Sequence, residues 1–356
     1  MKNILWLIGL TFFSQALLAQ KSRKHVQAVD SLFSRYNAGE TTGISVMVIG
    51  DGHKLYNRSF GYAEITKKRK ATNTTNYRIA SVTKSFTAMA ILMLRDEGKL
   101  KLEDKLSSFF PGIPAFGTEI TIKEMMNHTS GLKGYGDALS SKPLQGIDVL
   151  HIVERQDSTN FKPGSQFAYS NTAYVLLGLL VEKLSGLPLN EFVHRRIFYP
   201  LKMKHTTYNN LEGNIYNRAY GYNLKAGELL LQDQSNSSYL QGDGGIYTSI
   251  NDFYYWDQAL YTDVLVKKQT LQEIFSPSSN ETSELAYGYG WYIENRYNSR
   301  RIWHSGGTTG FSAYYVRYPE KKFSIVILAN QNNGLALDPI VSAIERIYLS
   351  EEWKGS

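Results

Sequence analysis

The feature that most limits how this chain can fold is the placement of its strands, which lie at the two ends with a long helical stretch between them. Near the N-terminus, residues 43–49 and 54–63 form two apolar runs joined by Gly50-Asp51-Gly52-His53. Asp-Gly between such runs marks a hairpin. Residues 23–36 ahead of them read as a helix. From about residue 102 to 261 the pattern is helical and loop-rich, clearest at 122–127, at 172–185 before Gly186, and at 189–198 before Pro200. Strands return at 289–295, 301–304, 312–318 and 323–330, and an amphipathic helix follows at 336–349. This order implies one sheet assembled from both chain ends. The expected fold class is therefore α+β: a central antiparallel sheet flanked by N- and C-terminal helices, with an inserted, mostly helical lobe. The sheet lobe would take about 21–80 and 285–356 and the helical lobe about 81–284, with a site in the cleft between them. No internal repeat is visible, and residues 276–283 read as a polar loop.

Where the first strands give way to the helical stretch stands Ser81-Val82-Thr83-Lys84, heading an apolar helix expected to run to about residue 94. Side chains three apart share a helix face, so a hydroxyl and an amine are presented together. A serine becomes nucleophilic when something takes its proton, and a lysine in a partly dry pocket is depressed in pKa far enough to help. The pattern is short enough to recur by chance, and Ser130-Gly131-Leu132-Lys133 repeats it. That copy sits among glycines and reads as a loop. Two further stretches support the first copy. Phe167-Ala168-Tyr169-Ser170-Asn171 follows Pro163-Gly164 and leads into the 172–185 helix, and Trp303-His304-Ser305-Gly306-Gly307 ends a strand and opens a glycine-rich turn.

Composition narrows the setting. Residues 1–20 carry Lys2, an apolar run over 4–13 and small residues near Ala19, the pattern of an export signal cleaved near Ala19 or Gln20. The expected localisation is secreted or periplasmic, with no stable membrane anchor after cleavage. The chain has no cysteine, which removes a thiol nucleophile, disulfides and thiolate-bound zinc. Its formal charge of +7 is dispersed, with short clusters such as Lys67-Lys68-Arg69-Lys70 in turn-like contexts, so no nucleic-acid partner is expected. The seven histidines show no ligand spacing, and neither a metal nor another cofactor is expected.

Ser-x-x-Lys, Tyr-x-Asn and His-x-Gly, in that order, resemble the serine β-lactamase and penicillin-binding superfamily. The class C β-lactamase-like branch, with its D-alanyl-D-alanine carboxypeptidases, D-amino-acid peptidases and esterases, is the most similar. Supporting stretches are Tyr77-Arg78-Ile79-Ala80, His128-Thr129-Ser130-Gly131-Leu132, Pro200-Leu201-Lys202-Met203 and Gly242-Asp243-Gly244-Gly245, so the resemblance spans about residues 43–330. It implies that Ser81 forms an acyl-enzyme, that Lys84 and Tyr169 manage its proton with the base left open between them, and that Asn171 orients Lys84 and the substrate amide. The backbone N–H groups of Ser81 and Gly307 would form the oxyanion hole, with Ser305 and Gly306 against the substrate.

At His304 the β-lactamases usually carry lysine. Histidine is only partly charged near neutral pH, which weakens the case for β-lactam hydrolysis and favours peptidase, amidase or esterase chemistry. His128 is expected to support its loop, and Asp243 to belong to a tight turn. The expected function is an exported serine hydrolase of amides or esters, acting on a small-molecule or peptide substrate derived from the cell wall. A penicillin-binding sensor that acylates with little turnover, or a true β-lactamase, stands as the alternative.

Overall fold

The computed structural model describes residues 23–37, 40–136, 142–210 and 215–350; the expected signal segment lies outside them. Helix α1 covers residues 23–32 and passes into a 3₁₀ turn at Ser34–Asn37. Strands β1 (Ile44–Gly50) and β2 (His53–Phe60) follow, with positive φ at Asp51 and Gly52 making the tight turn that Asp-Gly signals. The expected second strand stops sooner than its apolar pattern. Tyr62–Glu64 instead pairs with Arg69–Lys70 in a separate ribbon.

The later strands are β3 (Ser279–Asn280), β4 (Ala286–Tyr287), β5 (Tyr292–Arg296), β6 (Ser299–Thr308), β7 (Phe311–Tyr318) and β8 (Phe323–Ala329). Together with the N-terminal hairpin they form one eight-stranded antiparallel sheet in the order β3-β4-β5-β6-β7-β8-β1-β2. β1 and β8 lie side by side, joining the two ends of the chain within the sheet and pairing Ile44 with Ala329 and Gly50 with Phe323. The segment read as a polar loop thus supplies the outermost strand, whose Ser279 hydroxyl donates to the Asn127 carbonyl.

Alternate residues of the central strands feed two cores. Val46, Val48, Ile325 and Ile327 pack with Val29 and Phe33 near α1 and with Val341 and Ile344 of the last helix, Asp338–Leu349. Met47, Ile49, Val326 and Leu328 face the inserted lobe, where Phe86 stacks on Trp256 at 4.0 Å between ring centroids. Helix α2 (Lys84–Asp96) runs through this core, buried from Lys84 to Leu94. Helix α3 (Asn171–Ser185) packs beside it, started by the Ser170 side chain and ended by Gly186 in the left-handed conformation. The expected 189–198 helix divides into Leu189–Val193 and a π-helical turn, His194–Phe198. No single helix among the described residues is long and apolar enough to cross a membrane.

Candidate active site

The α-helix does not begin at Ser81. Ala80–Thr83 forms a 3₁₀ turn and α2 starts at Lys84. Ala80 has a φ of 48°, which a residue with a Cβ adopts at a cost of roughly 1–3 kcal/mol. That conformation turns the chain sharply out of the short strand Tyr77–Arg78, which is pinned to Ile246–Thr248. A 3₁₀ turn eclipses residues three apart, so Ser81 and Lys84 lie over one another more closely than in an α-helix.

The Lys84 ammonium donates to Ser81 Oγ at 3.2 Å, Asn171 Oδ1 at 2.8 Å and the Asp243 carbonyl at 2.8 Å. It is fully buried, and loss of hydration lowers its pKa to about 8 even though the nearby Asp243 carboxyl pulls the other way. An amine with that pKa gives up its proton readily near neutral pH. Two rings flank it: its nitrogen lies 4.9 Å from the centroid of Tyr169 and 5.5 Å from that of Tyr174.

Tyr169 and Asn171 arrive on the loop entering α3. His128, at a φ of 62°, fixes that loop by accepting the Ser170 N–H on Nδ1 at 3.0 Å and packing its ring 4.2 Å from Tyr169. Burial, then the Lys84 charge, pushes His128 well below its ordinary value, so it is a neutral strut. The Tyr169 hydroxyl hydrogen-bonds Ser81, yet burial of that end raises its pKa well above 10. The residue as a whole is 37 % exposed, so water in the cleft weakens that push. It still leaves Tyr169 a phenol at neutral pH. The second Ser-x-x-Lys has no comparable arrangement, because Lys133 is engaged with Asp157 and Ser158 and Ser130 Oγ accepts the Leu132 N–H.

β6 supplies the opposite wall. Thr308 pairs with Phe311 across a two-residue turn, so the ladder directs the backbone groups of His304, Gly306 and Thr308 toward β7 and those of Ser305 and Gly307 toward the other edge. β5 accompanies β6 only as far as Trp303. Among the described residues no strand covers the edge at Ser305 and Gly307. Side chains alternate: Gly306 rests on Ile79, Ala80 and Ser81, where a Cβ would run into the Ile79 carbonyl, whereas Ser305 turns to the opposite face with Trp303. The two residues expected against the substrate take distinct places on this strand. Gly306 lets the strand close on the nucleophile turn, and Ser305 leaves its backbone N–H on the open edge while its carbonyl accepts from His304 Nδ1.

His304 also differs from expectation. It is 2 % exposed, its Nδ1 donates to the Ser305 carbonyl at 2.6 Å, and its Nε2 accepts from the Tyr287 hydroxyl at 3.2 Å. Burial and the Lys84 charge lower its pKa to about 3, so the ring is neutral where partial charge was expected. It belongs to an aromatic cluster with Tyr169, Tyr287 and Tyr292, at 5.5–6.1 Å between centroids. The residue that sequence reasoning undervalued is Asp243. Its turn, bounded by Gly242 and Gly245 at φ of 97° and 96°, brings a carbonyl to Lys84. The unusual Gly-Asp-Gly-Gly run was the available signal.

The Beta-lactamase family profile matches residues 29–345. The chain is 32% identical to Penicillin-binding protein 4* of Bacillus subtilis (strain 168), over 94% of this chain and 78% of that protein. It is 30% identical to Protein flp of Staphylococcus aureus (strain NCTC 8325 / PS 47), over 86% of this chain and 63% of the relative. Among solved structures, the octameric penicillin-binding protein homologue from Pyrococcus abyssi superposes with a TM-score of 0.81 at 28% identity, covering 91% of this chain and 77% of that one. The D-amino acid amidase of Ochrobactrum anthropi SV3 shares the fold, with a TM-score of 0.76 at 22% identity over 92% of this chain and 97% of its own. The chain belongs to the beta-lactamase family, within the class C-like branch of the serine β-lactamase and penicillin-binding protein superfamily, whose members are serine hydrolases.

Proposed function

We propose that this protein hydrolyses an amide or ester through an acyl-enzyme on Ser81. The observation that carries this reading is a buried Lys84, held near pKa 8, donating to Ser81 Oγ at 3.2 Å. Of the two groups left open as base, Lys84 is the one whose neutral form is populated near physiological pH. Its free amine takes the Ser81 proton as Oγ bonds to the substrate carbonyl carbon. The N–H groups of Ser81 and Gly307 receive the developing oxyanion. As the scissile bond breaks, the Tyr169 hydroxyl protonates the leaving amine or alkoxide and regains a proton from Lys84. Water then repeats the sequence on the acyl carbon, restoring Ser81. Asn171 uses Oδ1 to hold Lys84, which leaves its amide nitrogen to meet a substrate carbonyl.

Because His304 is neutral, no fixed cation at that position selects for a substrate carboxylate. Peptide amides and uncharged esters suit this wall better than anionic β-lactams. The test is parallel labelling with a fluorophosphonate and a fluorescent penicillin, with intact-mass measurement after a substrate pulse. An adduct on Ser81 that forms and decays within turnover supports the hydrolase. A lasting adduct supports a penicillin-binding sensor.

Two outcomes follow. The kcat/KM for a neutral aryl ester is expected to rise with pH toward about 8, since the base must be deprotonated, and to show no inflection between about 5.5 and 7.5 from His304. A limb near 6.5 would return His304 to the chemistry. Tyr169→Phe is expected to lower kcat on an amide by about a hundredfold, the ordinary size of a lost proton-transfer group. Wild-type kcat in that variant would remove Tyr169 from the mechanism.

A further inference from the structure

The mechanism above uses the backbone of Asp243 and leaves its carboxyl group unassigned. That group is buried in the same turn whose carbonyl holds Lys84. Oδ2 accepts a hydrogen bond from the Tyr135 hydroxyl at 3.2 Å, and Oδ1 meets no donor in full hydrogen-bond geometry among the described residues, although the backbone N–H groups of Asp243 and Gly244 lie by the carboxyl and favour its ionised form. A buried carboxyl oxygen without a donor is costly. It persists more easily where a neighbouring positive charge offsets it. Lys84 is that charge, and each lies in the other's field: the amine pulls the Asp243 carboxyl down against the upward push of burial, and the carboxyl pulls the amine up. The other titratable groups around the pair do not compete. His128 and His304 are buried and neutral, and Tyr169 and the buried Tyr174 and Tyr208 are phenols raised above their ordinary value.

We propose that the Asp243 carboxyl, held by Tyr135, is a positioning residue that sets the pH at which Lys84 releases its proton. While ionised it keeps Lys84 charged to higher pH than the dry pocket alone would. Protonation of Asp243 removes that hold. The substrate sees only the consequence, a base whose working range is fixed by a side chain that does not touch the reacting atoms.

This inference rests on the reading of Lys84 as the proton acceptor, and the experiment separates the two. Asp243→Asn keeps the backbone carbonyl and the side-chain shape but removes the charge. The Lys84 titration is followed directly, by ¹³Cε-lysine NMR with the signal assigned through Lys84→Arg, alongside the pH dependence of kcat/KM on a neutral ester. Loss of an opposite charge at this range shifts a pKa by about one unit. Both titrations are expected to move about one unit downward, so kcat/KM at pH 6 rises about tenfold relative to its own plateau. Tyr135→Phe, a second variant that leaves Asp243 in place, is expected to move both in the same direction by less. An NMR shift without a kinetic one supports the coupling and overturns Lys84 as the base. A Lys84 titration that stays put in both variants overturns the proposal, even if activity falls at every pH.

Discussion

Turnover by the Ser81→Ala variant is expected to fall by about a hundred-thousandfold or more, the loss seen when the nucleophile of a covalent mechanism is removed. The substitution deletes one hydroxyl, bonded to Lys84 and Tyr169, and takes no volume from the core. Thermal unfolding should therefore change little, which separates lost chemistry from lost structure. Ser130→Ala is the paired control. Ser130 is buried and its hydroxyl accepts the Leu132 N–H within its own loop, with Lys133 turned away to Asp157. The control should retain turnover. Activity that survives Ser81→Ala and vanishes in Ser130→Ala would transfer the nucleophile to the second Ser-x-x-Lys and undo the assignment.

The two serines also show which parts of the site are legible in a one-dimensional pattern. Spacing distinguished them because glycine punctuates one copy and an apolar period follows the other. What spacing missed at Ser81 is the 3₁₀ turn, since Ala80 takes its positive φ in a turn packed against Gly306, on a strand more than two hundred positions away. The buried strands were readable for the same local reason: β1, β7 and β8 are mainly apolar runs with clear ends, broken only by Ser45, Ser312, Arg317 and Ser324. The edge of the sheet was not. β3 is two polar residues, and its pairing with β4 comes from register rather than composition. Charge state was the least legible property. His304 in isolation titrates near neutrality, but whether it does so here depends on enclosure by Tyr169, Tyr287 and Tyr292, which come together only in the fold. Asp243 was hidden likewise, because a glycine-flanked aspartate has an adequate local explanation as a turn.

Replacing Lys84 with methionine is expected to reduce kcat/KM by about a thousandfold and, separately, to change how stability depends on pH. Methionine fills much of the same space without a charge, so the kinetic loss reports the missing base. The stability effect follows from linkage. An unfolded lysine binds its proton with a pKa of 10.5, whereas the folded protein holds Lys84 at about 8. Between those values the unfolded state binds the extra proton, so wild-type stability rises as pH rises from 8 toward 10.5 and is lost again as pH falls through 8. The difference in the two pKa values corresponds to about 3 kcal/mol. The tyrosines of the unfolded chain also titrate at the upper end of this window, but they are common to both proteins and cancel in the comparison. Urea unfolding of wild type and Lys84→Met at several pH values across that range should thus show their stability difference shifting by about 3 kcal/mol in favour of wild type at the alkaline end. A difference that stays flat would mean Lys84 titrates in the folded protein as it does in the unfolded chain. Lys84 would then be almost fully protonated at neutral pH, and the proton on Ser81 would need another acceptor.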